Sequence, residues 1–226
     1  MSQPRPGSPI AITEPMIQKN GAREAASEAE LAGSGAFQLA QAGAGALLQR
    51  DYWAAIDECR VAPAELMADL RQRFCDFPPA DLVSFERAEH CESPLKVGDE
   101  LSIVIRMAGA CRVRVTCRDE HSLTLSTLQG HPEAGRITFG CYRHESGAVV
   151  FHIRSRSRSG DAGFAAGFLT IGEAMQTNTW VDFVRTVAST YGAGVLGEVH
   201  ADTEEVEPIA DDDEVSRPTF VAAGAD

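Results

Sequence analysis

The chain has 226 residues, of which 44% are hydrophobic and 23% charged, with a formal net charge of −13. Such a length and balance fit one globular domain with tails. The charge excludes a general affinity for nucleic acid or for an anionic membrane, since phosphate binding needs positive charge nearby. The acidity is uneven: residues 198–226 hold ten acidic groups and one basic group, whereas residues 1–50 hold four of each. No run approaches the roughly 20 apolar residues that span a bilayer. Pro4, Pro6, Pro9 and Pro15 break up the first twenty residues, so no secretory leader is expected. Cytoplasmic residence is the default expectation, and the six cysteines then read as thiols.

Residues 1–30 are rich in Pro, Gly, Ser and Ala, a composition that cannot bury enough surface to offset its ordering entropy. Residues 31–49 admit a weak helix around Phe37–Leu48, or a docking linker, with each interior glycine costing about 1 kcal/mol. Residues 1–50 are therefore read as disordered or weakly helical, 51–197 as the folded domain, and 198–226 as an acidic disordered tail.

Order is expected to begin at Asp51, with a short β-like run over Tyr52–Ile56. Pro63 then opens a helix whose apolar stripe is Leu66, Met67, Leu70 and Phe74, stopped by Phe77-Pro78-Pro79. Residues 80–88 fit a short helix or a strand. After the turn at 94–99, period-two alternation takes over. It runs through Leu101, Ile103, Ile105 and Met107, then Cys111, Val113, Val115 and Cys117, then Leu123 and Leu125. Ile137, Phe139 and Cys141 follow the break at Gly130, and Val149, Phe151 and Ile153 follow the turn at 144–147. Hairpin-length spacing throughout predicts an antiparallel sheet with one buried face. From residue 161 the period becomes helical: Phe164, Phe168, Ile171 and Met175, then Trp180, Phe183, Val184 and Val187, with Gly192 as the C-terminal cap. A one-sided sheet and a long striped helix bury each other. The expected fold is α+β, a sheet of six to seven strands wrapped on a long C-terminal helix.

This order of elements resembles the START or SRPBCC class of helix-grip folds, typified by the birch-pollen allergen and polyketide cyclase-like proteins. The Val97-Gly98-Asp99 phrase before the first long strand is similar to one common there. More narrowly, Gly130, His131, Pro132, Glu133, Gly135 and Phe139 resemble the G-H-P-E-x-G box of a bacterial and plant domain family of unknown function. Ile153, Ser157 and Arg158 match that family's second motif. Arg136, Ser155, Arg156 and Ser159 depart from the pattern, standing for Glu, Ala, Phe and Pro. The resemblance implies the fold, and an apolar cavity between sheet and long helix that often holds a lipid, sterol, polyketide or hormone; it implies no established activity.

Three sets of residues are candidates for chemistry. His131 and Glu133, two apart in a turn, are either an acid–base pair or parts of a structural loop. Arg112, Arg114, Arg154 and Arg156 share the parity opposite the apolar face, forming either a guanidinium patch for an anion or a solvated outer surface. Ser155 and Ser157 share parity with Phe151 and Ile153, so they either supply polar groups inside the cavity or sit at the strand's wet end. With Phe168, Trp180 and Phe183 of the helix, they are the ligand-binding candidates, the aromatics also fitting plain core. No Walker loop, G-x-S-x-G elbow, Rossmann fingerprint or zinc-ligand spacing occurs, so no cofactor or metal is expected. Three functions compete: a domain that binds a small apolar or amphipathic molecule, a cyclase- or hydrolase-type enzyme using His131 and Glu133, and an adaptor that recruits a protein partner through its acidic tail. Phe220 and Val221 are either a short interaction element or part of a solvated tail.

Overall fold

The structure, a computed structural model, describes residues 24–25, 27, 35–87, 93–106, 108–160 and 162–222, excluding the side chains of 162–173, 211 and 213. Met107 and the segment 1–23 fall outside the described residues, and so do the side chains of Phe164, Phe168 and Ile171.

Among the described residues, nine antiparallel strands form one sheet: β1 (Glu24–Ala25), β2 (Ala44–Asp57), β3 (Val83–Arg87), β4 (Glu100–Ile105), β5 (Gly109–Arg118), β6 (Ser122–Thr127), β7 (Glu133–Arg143), β8 (Val149–Ser159) and β9 (Gly194–Glu205). Their spatial order is β3-β4-β5-β6-β7-β8-β2-β9, with β1 adding to β5. From β4 to β8 the chain is a meander of hairpins, as the period-two pattern predicts. Two helices cover one face: α1 (Pro63–Arg73) lies over β6 and β7, and the long α2 (Ala162–Tyr191) lies over β8, β2 and β9. This is the helix-grip arrangement. The ambiguous stretch at 80–88 contributes the edge strand β3, whose Val83 and Phe85 alternate into the core.

The inner face is the main core. Leu66, Met67 and Leu70 of α1, with Phe74 at its C-terminal cap, are fully buried, as the helical stripe requires. Phe74, Phe139 and Phe151 surround Phe183 of α2, with ring centroids 5.6, 5.3 and 6.0 Å away. Fully burying one such side chain contributes about 1.5–3 kcal/mol.

Both expected domain boundaries shift. No helix forms over Phe37–Leu48; Ala40–Ala42 is one 3-10 turn, and β2 begins at Ala44, well before Asp51. The strand wins because its backbone is paired on both sides, with β8 and with β9. At the other end, residues 194–205 do not trail into solvent. They form β9, pairing Gln49 with Glu204 and Asp51 with Asp202 across β2. Its acidic side chains point outward along a sheet edge, where charge deters further strand addition.

The largest difference concerns the outer face, where residues 207–222 lie as a strap across β6, β7 and β8. Asp212 takes two bonds from Arg156, at 2.7 and 2.8 Å, and pairs with Arg136 at 3.5 Å. The Glu214 carbonyl accepts from Arg136, and the Thr219 amide donates to Thr138 Oγ1 at 2.8 Å. Phe220 then stacks on His152, with centroids 4.5 Å apart, against Gly140. A Cβ at position 140 would lie 2.8 Å from the Phe220 ring, so only glycine leaves this seat open. Trp53, Tyr142, Val150 and Phe220 thereby make a second apolar cluster. Phe220 and Val221 are buried against their own sheet, because apolar seat and buried ion pairs together hold an otherwise acidic segment.

The four arginines accordingly do not make an open patch. Arg112 and Arg114 both bond Glu100, Arg154 bonds Asp51 at 2.6 Å, and Arg156 bonds Asp212. Beside Arg154, the fully buried His152 meets Asp51 through Nε2 at 2.5 Å and Tyr142 Oη through Nδ1 at 3.5 Å. Burial raises the Asp51 carboxyl, but the bonds from His152 and Arg154 overcome this and hold it below its ordinary value. Burial likewise keeps the His152 imidazole below the usual histidine value, against the pull of Asp51. The pair is thus a neutral imidazole donating to a carboxylate.

A histidine depressed in the fold but ordinary when unfolded stabilises the protein fully above about pH 6.5; that stabilisation drains as pH falls toward the folded value. The urea midpoint should therefore fall between pH 7 and pH 5. The H152Q variant should show a shallower fall, and an unchanged slope in H152Q would remove His152 as its source.

Candidate functional site

The inner face changes character along β8. Phe151 and Ile153 pack in the core, while Ser155 and Ser157, two and four residues on, keep the same inward parity and are 3% exposed. Their cross-strand partners bring polar groups to meet them. Arg50 of β2 lies opposite Ser155, and Gly135 of β7 lies opposite Ser157. Gly135 has a structural reason: a Cβ there would lie 2.2 Å from the Arg156 carbonyl oxygen.

The result is a closed polar cluster. Arg50 Nη1 lies 3.2 Å from both Glu133 Oε1 and Ser157 Oγ. Ser157 Oγ donates to Glu133 Oε1 at 3.2 Å, and Gln176 Nε2 of α2 donates to Glu133 Oε2 at 3.0 Å. Arg50 is 6% exposed, so this pairing offsets the cost of burying its charge, which is heavy for an isolated ion.

Beside this cluster, between sheet and α2, lies a cavity of about 330 Å³. That is within the ~300–1,000 Å³ of small-molecule pockets. Phe85, Ile103, Val113, Leu125 and Ile137 give it apolar walls, and Met175, Thr179 and Trp180 line it from the helix. Among the side chains that line it, Ser155 Oγ, Arg158 Nε and Trp180 Nε1 are buried with no protein partner among the described residues.

The sequence candidates separate clearly. Ser155, Ser157 and Trp180 line the cavity, as do His131 and Glu133. Phe183 does not; it is fully buried among the core aromatics. The side chain of Phe168 lies outside the described residues. His131 uses Nδ1 to accept the Glu133 backbone N–H at 3.0 Å, and among the described residues its ring makes no bond to the Glu133 carboxylate. Burial lowers its imidazole from the ordinary value, with Glu133 pulling the other way. The turn is clamped by Gln38, which donates to the carbonyls of His131 and Glu133 at 2.6 and 3.0 Å and accepts from the Gly130 amide. Gly130-His131-Pro132-Glu133 is thus a braced turn that presents one carboxylate to the cavity.

Arg50, Gln176 and Thr179 were missed by the sequence reading. Arg50 carried a usable signal, sharing inward parity with Tyr52 and Ala54 one strand-step away. Gln176 is one helical turn before Trp180 on the same face, but only the fold brings it to Glu133. Among the described residues no group of His, Cys, Asp and Glu side chains could hold a metal ion, and no helix is long and apolar enough to cross a membrane.

Residues 78–186 match the model of a family described as a domain of unknown function, DUF1990. Just under half of this chain is thus similar to DUF1990. The match includes Glu133, Ser157 and Gln176 but stops short of β2, β9 and the strap, so Arg50 reaches the cavity from outside the matched stretch. No curated protein matches the sequence significantly.

Solved structures similar to this chain include three distant ones. The di-domain ARO/CYC StfQ from the steffimycin biosynthetic pathway shares 7% identity over 64% of this chain and 51% of its own, with a TM-score of 0.45. The hypothetical protein jhp0584 from Helicobacter pylori shares 8% over 62% of this chain and 86% of its own, at 0.44. Major latex-like protein 151 from Panax ginseng shares 14% over 65% of this chain and 99% of its own, at 0.43. The chain therefore spans about half the length of the di-domain protein.

Proposed function

We propose that this domain binds a small apolar or amphipathic molecule in the cavity between sheet and α2. The observation that carries this reading is a cavity of about 330 Å³ with apolar walls and a polar end already organised by Arg50, Glu133, Ser157 and Gln176. Ordinary core packing leaves few voids larger than a water molecule, and each methyl-sized void costs stability. Binding is favoured over acid–base catalysis because the His131 ring is engaged by backbone and Glu133 by three side chains. We place the domain in the cytoplasm, where the five described cysteines, all free, would remain thiols.

Native mass spectrometry of gently purified protein, with the denatured protein as control, tests the proposal. The expected result is a released adduct of defined mass that is lost in the variant I137W, whose indole fills the cavity. An adduct retained unchanged by I137W would place the ligand elsewhere. A cavity that takes up no probe from an apolar small-molecule panel would overturn binding altogether.

A further inference from the structure

We infer that the cavity opens to solvent through a bulge of β2 at Gly45 and Ala46, and that Arg158 is the latch that sets how fast a molecule passes. The inference rests on the binding reading above and adds the route in and out.

Three observations carry it. First, of the residues that line the cavity, Gly45 and Ala46 are the two that are exposed; the others are buried or half-buried. The cavity therefore meets water at this end of β2. Second, the sheet is interrupted there. Ala44 pairs with Ser159 and Leu48 with Ser157, so three residues of β2 stand opposite Arg158 alone. On the other side, pairing with β9 reaches only to Leu48. Both ends of the bulge are fixed. A Cβ on Gly43 would lie 2.7 Å from the Ser159 carbonyl oxygen, so the chain is pressed against β8 just before the bulge. Just after it, the Leu47 carbonyl accepts from the Val206 amide at 2.9 Å. Gly45, between these clamps, has a φ of 82°, and a Cβ there would meet nothing within 4 Å. A short span held at both ends and open in the middle can swing outward while the flanking ladder stays intact.

Third, one side chain ties the span down. Arg158 Nη1 donates to the Gly45 carbonyl at 2.8 Å. Among the described residues its Nε is buried without a protein partner and no carboxylate pairs with it, unlike Arg154 and Arg156 on the same strand. Releasing the span therefore breaks this one bond and leaves no buried ion pair behind.

A latch acts on the barrier and on neither end state, so entry and exit change together and affinity stays put. Stopped-flow fluorescence of 1-aminoanthracene with the full chain at neutral pH reads both rates. R158A should speed entry and exit alike by about fivefold, the scale of one hydrogen bond, with Kd changed less than about twofold. R158K, which keeps a donor for the Gly45 carbonyl, should restore both rates. A46W, which sets an indole in the mouth, should slow both by about tenfold, a rise of about 1.4 kcal/mol in the barrier. Near-UV circular dichroism checks that each variant is folded, and positions 46 and 158 are read independently. Unchanged rates in folded A46W, or in folded R158A, overturn the inference, because the molecule then passes elsewhere. A weaker affinity in R158A with entry unchanged overturns it as well, since Arg158 then holds the ligand and does not gate it. In all these cases the unmodified protein still takes up the dye, so the broader reading survives. Failure of the unmodified protein to take up the dye removes the broader reading and this one with it.

Discussion

Replacing Asp212 with alanine is expected to cost about 3–5 kcal/mol of stability, the scale for removing one partner from a buried ion pair. The size follows from what is left behind. Arg136 and Arg156 are 4% and 8% exposed, and Asp212 is the carboxylate they share. The Ile209 amide loses its acceptor too. Urea denaturation measures the loss directly. Burial raises the Asp212 carboxyl, but the bonds from Arg156 and the Ile209 amide outweigh it and hold it below the ordinary range. The stabilisation is therefore complete above the unfolded carboxylate value of about 3.9 and drains as pH falls through the folded one. The gap between D212A and the unmodified protein should close in strong acid. The triple variant D212L/R136L/R156L should recover much of the loss at pH 7, since apolar replacement of a buried ionic group is often neutral or stabilising. A D212A deficit below about 1 kcal/mol at pH 7 would mean that the strap does not dock in solution.

Phe183→Ala is expected to cost about 3–5 kcal/mol, the range for emptying a buried aromatic site. Phe183 touches the rings of Phe74, Phe77, Phe139, Phe151 and Trp180, which come from the turn after α1, two strands and α2 itself. Such a site cannot collapse easily, because every neighbour is fixed by its own element. The same titration reads the result, with probe binding measured below the unfolding transition. A small stability change accompanied by a large loss of binding would instead make Phe183 a wall of the cavity.

The contrast between Phe183 and Trp180 shows where sequence reading ends. Both belong to one helical stripe, and periodicity gives them the same face. What separates them is depth. Phe183 is enclosed by aromatics, whereas Trp180, edge-on to Phe139, also lines the cavity. The meander β4 to β8 was legible because each strand pairs with its sequence neighbour, so alternation and turn residues carry the information locally. β9 and the strap were not, because an acidic composition argues for solvent while the pairing with β2 and the seat at Gly140 lie far away in sequence. The cavity's polar end divides in the same way. Ser155 and Ser157 were legible from strand parity, whereas Arg50 and Gln176 become neighbours of Glu133 only through strand order and helix placement.

The position of β2 has a consequence for how the molecule is made. β2 is the first long strand, yet its two neighbours come far later: Asp51 meets His152 across 101 residues, and Gln49 meets Glu204 across 155. Closing loops of that length slows folding. During synthesis at roughly 5–20 residues per second, β2 emerges with neither edge matched, and several seconds pass before β8 leaves the ribosome. Trp53, Ala54 and Ile56 stay open to wrong pairings through that interval. Slower translation across the β8-to-β9 region would lengthen this window, so the yield of native protein is expected to depend on nascent-chain chaperones more than its stability, once folded, would indicate.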